Sequence, residues 1–63
     1  MKITFFRSAL NSNNNLYKFP CGSFTYPKNS NINYATVDAI NNFQKINKVK
    51  NWRESAEFYE ISQ

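Results

Sequence analysis

Glu54, Glu57 and Glu60 recur at every third position in the last part of this 63-residue sequence, and Cys21 stands between Pro20 and Gly22. These side chains are the ones suited to chemistry: clustered carboxylates move protons or hold a cation, and an ionised thiol is a nucleophile. Neither set is equipped for such work. A strand puts Glu54 and Glu60 on one face and Glu57 on the other, while a helix spreads all three along a solvated edge. The chain has no histidine, the commonest general base near neutral pH. Without one, Cys21 has only the nearby Lys18 to lower its pKa, and it reads as a small buried or turn cysteine. One cysteine and four carboxylates give no zinc-type ligand spacing, so no metal is expected. A single glycine rules out a glycine-rich phosphate loop, and no cofactor is expected. The residues read as those of a protein that is not an enzyme.

The stretch QKINKVKNWR, residues 44–53, is the second chemical feature. Lys45, Lys48, Lys50 and Arg53 fall within nine residues around the only tryptophan, Trp52. One reading is structural: lysines at a helix end meet the negative pole of its dipole, and Trp52 closes the core beneath that end. The other is a binding surface. Arg7, Lys18 and Lys28 belong to a first 37 residues without any acid, which also carry Tyr17, Phe19, Phe24, Tyr26 and Tyr34. Aromatic rings rimmed by positive charge suit the stacking of single-stranded nucleic acid, and equally suit protein docking.

The net charge is +4, from eight basic and four acidic residues. The basic residues are ordinary in number for the length, so the balance comes from missing acids. That weakens the nucleic-acid reading. No apolar run approaches the ~20 residues of a membrane-spanning helix. Arg7 breaks the one short apolar patch near the start, where a signal peptide needs continuity. With a lone cysteine and hence no internal disulfide, the sequence suggests a cytoplasmic protein with no membrane partner.

These residues must be positioned by few elements, because a chain of this length makes one domain, residues 1–63. KITFFRSAL reads as a strand, with Ile3, Phe5 and Ala9 on one face and Thr4, Phe6, Ser8 and Leu10 on the other. NSNNN, residues 11–15, reads as a hairpin loop. LYKF is a second strand ended by Pro20, and SFTY a third, with Phe24 and Tyr26 on one face. A helix follows, with Thr36 as N-cap, Asp38 in its first turn, an apolar stripe of Ala39, Ile40, Phe43 and Ile46, and a stop at Asn47. The last segment, residues 51–63, reads either as a helix with Trp52, Ala56 and Tyr59 in a stripe or, by its aromatic alternation, as a tight turn over residues 50–54 followed by a final strand. The strand is the preferred reading. The expected fold is α+β: a small antiparallel sheet of three to four strands with one α-helix packed on one face, in the order β-β-β-α-β.

One helix covers one face of a sheet, and the first strand carries a phenylalanine on each side. The uncovered face is therefore expected to expose large side chains or to meet another molecule. The functional expectation is a small binding protein that masks a surface of a larger protein complex of a host cell. Short chains without catalytic equipment serve phages and plasmids as such inhibitory or modulating accessory factors. The alternative is a small DNA- or RNA-binding domain. Self-association as a homodimer, through an edge strand or the open sheet face, is a variant of the first. The side chains expected to carry binding in either case are Arg7, Lys18, Tyr26, Lys45, Lys48, Lys50, Trp52 and Arg53.

Overall fold

The computed structural model describes residues 1–63 as an α+β fold. Strand β1 (Lys2–Leu10) is central, flanked by β2 (Leu16–Thr25) and β3 (Phe58–Ser62), and both pairings are antiparallel. Helix α1 (Ile32–Asn47) lies on one face, and a 3-10 turn at Trp52–Glu54 leads the chain back to β3. The period of two in β1 holds: Ile3 and Phe5 are fully buried under the helix, while Thr4, Phe6 and Ser8 face away. The core joins them to Met1, Ala35, Ala39, Phe43 and Ala56. Phe5 is its centre. Its ring stacks on Phe43 at 4.2 Å and 12°, and meets Phe24 and Trp52 edge-on. Small Ala35 and Ala39 bring the helix close to the sheet, and Phe43, on the same helical face, fills the space one turn on.

Three expectations need correction. The two short strands are one, because β2 runs through Pro20 without a break. Pro20 is tolerated there because β2 is an edge strand with a bulge beside it: Phe5 pairs with Gly22 and Phe6 with Pro20, leaving Cys21 as the extra residue. The element order is accordingly β-β-α-β. The helix begins a turn earlier than Thr36. Asn31 is the N-cap, its side-chain oxygen accepting from the Tyr34 N–H at 3.0 Å, and the Thr36 hydroxyl instead donates to the Ile32 carbonyl. Asp38 therefore lies past the first turn and serves another purpose, its carboxylate accepting from the Tyr26 hydroxyl at 2.7 Å and from Asn42 at 3.0 Å. Finally, Ile46 does not join the buried stripe but is 69% exposed, because the core ends at Phe43.

The helix stops at Asn47 as expected, with Lys48 in the left-handed conformation (φ 56°, ψ 43°) and the Val49 N–H returning to the Gln44 carbonyl. The Asn11–Asn15 segment is the hairpin loop: the Asn11 side chain accepts from the N–H groups of Asn13 and Asn15, and Asn14 takes a positive φ. No helix is long and apolar enough to cross a membrane.

Candidate functional site: a projecting hairpin arm

The strands differ in length, and the difference shapes the surface. β3 pairs with β1 only over Lys2–Phe6, whereas the β1–β2 ladder continues to Leu10 and Leu16. Helix α1 runs along β1 from the Tyr26–Asp38 bond at one end to Asn47, which lines a cleft with Arg7, Phe19, Pro20, Cys21 and Ser55. Beyond that point the hairpin has neither a third strand nor a helix over it. The result is an elongated molecule, 40 × 27 × 14 Å, with a two-stranded arm.

Each face of the arm carries an exposed apolar pair. Phe19 is the ladder partner of Arg7 and Tyr17 that of Ala9, so both rings share the helix-side face with these residues. Leu10 and Leu16 form the last pair, on the opposite face. Exposure is 52% for Phe19, 47% for Tyr17, 61% for Leu10 and 75% for Leu16.

The open face of the three-stranded part is not the aromatic platform that the sequence suggests. It carries Thr4, Ser8, Lys18, Ser23 and Glu60 around one stacked pair, Phe6 and Phe58, with centroids 5.4 Å apart. Both rings are half-buried, and the Lys18 ammonium sits 4.9 Å above the Phe6 centroid while pairing with Glu60 at 2.7 Å. Phe24 and Tyr26 pack toward the core instead. The leftover apolar surface thus exists, but at the end of the sheet and not across its uncovered face.

The expected site residues separate into three groups. Tyr26 lies at the far end from the arm, where its backbone is bonded to Met1 and its hydroxyl to Asp38. Partial burial and the Asp38 carboxylate push its pKa up to about 12. Lys18 is held on the open face by Glu60. Arg7, Lys45, Lys48, Lys50, Trp52 and Arg53 belong to the region where the helix ends and the arm begins, and none of its cations is in an ion pair. The Trp52 ring is already engaged: Phe5 and Tyr59 meet it edge-on, and the Arg53 guanidinium lies over it at 5.3 Å. Leu10 and Leu16 are absent from the expected site, and Tyr17 and Phe19 enter it only among the rings of the acid-free half, because nothing in the sequence says that β3 is short.

The three glutamates are engaged separately. Glu54 accepts from the Asn51 N–H in a capping box, Glu57 accepts from the Ser8 N–H at 3.2 Å, and Glu60 pairs with Lys18. No group of three or more metal-ligating side chains occurs. Cys21 is a half-buried free thiol donating weakly to the Phe19 carbonyl at 3.6 Å. Comparison with protein-family models, curated proteins and solved structures finds no match to this chain.

Proposed function

We propose that this chain is a non-enzymatic binding protein that docks its hairpin arm on a larger protein assembly and modulates that assembly by covering part of its surface. The observation that carries this reading is the two-sided apolar character of the arm, with Leu10 and Leu16 on one face and Tyr17 and Phe19 on the other. Burying an exposed side chain of this kind contributes roughly 1.5–3 kcal/mol. Four of them contribute at most roughly 6–12 kcal/mol, against a cost of association of about 4–15 kcal/mol, so docking through the arm needs main-chain or polar contacts beside its apolar ones. A two-stranded ribbon is also marginal by itself, which favours a cleft that holds both of its faces.

The nucleic-acid alternative keeps one observation of its own, the unpaired cations Arg7, Lys45, Lys48, Lys50 and Arg53. Two observations weigh against it. Lys45, in the last turn, and Lys48, at the C-cap, stand at the negative end of the helix dipole, which their charges balance. The ring nearest to them, Trp52, is half-buried, in T-shaped contact with Phe5 and Tyr59, and has the Arg53 guanidinium over it, so a base competes for it with contacts already made. Leucines on an exposed arm add nothing to base stacking, whereas a protein groove buries them.

The test is capture from lysate of the organism that carries the gene, using the intact chain as bait after nuclease treatment. One partner at stoichiometric yield is expected, falling at least tenfold with the double variant Tyr17→Ala, Phe19→Ala. Capture that vanishes with nuclease, or that ignores the double variant, overturns the reading. Neither ring has a stacking partner in the fold, so the variant keeps its core.

A further inference from the structure

The arm has two strand edges, and they differ. On β1 the Phe6 carbonyl accepts from the Glu57 N–H, so the polar backbone groups of Phe6 point toward the β3 side. Alternation along an antiparallel strand then aims those of Ser8 and Leu10 the same way, and those of Arg7 and Ala9 toward β2. The Ser8 N–H bears this out, since it meets the Glu57 carboxylate. No third strand lies beside Ser8–Leu10, so the Ser8 carbonyl and the Leu10 N–H and carbonyl are left on an open edge.

The opposite edge is interrupted at the base of the arm. Phe6 and Pro20 are partners, and because the polar groups of Phe6 face β3, those of Pro20 face outward. Proline has no N–H to offer there, and the bulge at Cys21 adds a local twist. The β2 edge thus loses a donor at Pro20 and a regular twist at Cys21, leaving only Lys18 and Leu16 beyond them, whereas the β1 edge has no such interruption.

The open edge borders a shallow cleft of about 360 Å³ lined by Arg7, Ser8, Arg53, Glu54, Ser55 and Glu57, with Ala56 at its floor. Arg7 donates through Nε to the Ser55 carbonyl at 3.0 Å, which fixes the guanidinium and leaves its two terminal nitrogens without a protein partner. Arg53 is in no ion pair. The two acids of the cleft are already engaged by the N–H groups of Asn51 and Ser8. We infer that the unprotected edge of β1 accepts a short extended peptide segment as an added strand in line with β3, with an acidic side chain of that segment paired to Arg7 and Arg53. This deepens the protein-docking reading and rests on it.

Charge decides between a foreign segment and a second copy. The chain carries +4 overall, and its first 37 residues hold no acid. The cleft itself holds two arginines and two glutamates. The glutamates are bonded to N–H groups while Arg7 keeps free guanidinium nitrogens, so an acidic segment finds donors there that the acid-free arm of a second copy does not answer. Main-chain hydrogen bonds then supply the affinity, and the arginines the selectivity. Glu57 acts as the resident stand-in: its carboxylate holds the Ser8 N–H that an incoming carbonyl takes over.

The experiment selects binders to the intact chain from a randomised decapeptide library, then follows the selected peptides by amide exchange and titration. The expected peptides are rich in Asp or Glu and free of proline in the pairing segment. They slow exchange at the Leu10 amide at least tenfold, and they lose at least tenfold in affinity when their acids become Asn or Gln. Leu10→Pro removes the outward N–H, as at Pro20, together with the leucine side chain, so Leu10→Ala is the control; the proline variant weakens binding at least tenfold more than the alanine one. Should the proline variant fail to fold, Leu10 exchange in the unaltered chain decides. A library without binders overturns the inference, as do peptides that bind Leu10→Pro no worse than Leu10→Ala or binders that leave Leu10 exchange unchanged. Sedimentation showing a dimer with a protected Leu10 amide assigns the edge to a second copy and overturns it as well. Capture that depends on Tyr17 and Phe19 while the Leu10 edge stays idle leaves the docking reading standing and removes only this one.

Discussion

Gly22 lies beneath the Phe43 ring so closely that a β-carbon on it would stand 3.2 Å from ring carbons Cδ1 and Cε1. Phe43 has little room to retreat, since its ring is also stacked on Phe5 at 4.2 Å. The glycine is required here by close approach of helix to strand and not by a special backbone angle. Gly22→Val is expected to destabilise by about 2 kcal/mol through overpacking, read as a lower urea midpoint with an unchanged slope. A midpoint equal to the parent's would mean that the helix sits higher above the sheet.

The start of the helix gives a paired test. Asn31→Ala removes the side chain that accepts from the Tyr34 N–H and should cost about 1 kcal/mol. Thr36→Ala, inside the helix, should stay within about 0.5 kcal/mol of the parent. The reverse order in chemical denaturation would return the N-cap to Thr36.

Tyr26 makes stability depend on alkaline pH. Burial first, and then the Asp38 carboxylate that accepts its proton, raise its pKa from 10.0 to about 12. Below pH 10 the phenol is protonated in both states and the bond to Asp38 is intact. Between about 10 and 12 the unfolded chain ionises at Tyr26 while the folded chain resists, so stability falls as pH rises through that window. Absorbance in the near ultraviolet should show one late tyrosinate step. Tyr26→Phe should abolish that step and flatten its share of the stability decline; a step that persists would refute the assignment.

Lys48 occupies the left-handed region just after the helix, at φ 56° and ψ 43°. A residue with a β-carbon is strained there, and glycine is not. Lys48→Gly is expected to stabilise by about 0.5–1 kcal/mol, seen as a higher thermal midpoint. A lower midpoint would show that the lysine charge at the helix end outweighs the strain.

How much of this was legible in the sequence varies by element. The alternation of Ile3, Phe5 against Thr4, Phe6 is carried by large side chains, and it gave β1 its faces. The helix middle was readable from Ala39, Ile40 and Phe43. Its first turn was not, because Ile32, Tyr34, Thr36 and Val37 look strand-like, and the buried Ala35 is too small to mark a stripe. Pro20 read as a strand end because its position on an edge is a property of the sheet order. The bulge at Cys21 shifts the parity of β2, so Phe24 and Phe19 share a face though their separation is odd; no local pattern announces that. The site suffered most. The basic cluster was visible, but the arm depends on β3 stopping opposite Phe6, a long-range fact, and the lysine and tryptophan named for binding turned out partly occupied within the fold.

The pairing of Lys2 with Ser62 joins residues sixty positions apart. At about 5–20 residues per second, a ribosome needs roughly 3–12 s to make the stretch between them. The β1–β2 hairpin needs only microseconds once it emerges. A nascent chain of this protein therefore spends seconds with a β1–β2 segment that is marginal as a ribbon by itself and bare along β1 from Lys2 onward, within reach of chaperones and of other nascent chains. Translation speed across the helix codons sets how long that exposure lasts, until β3 arrives and shortens the bare margin to the few residues of the arm.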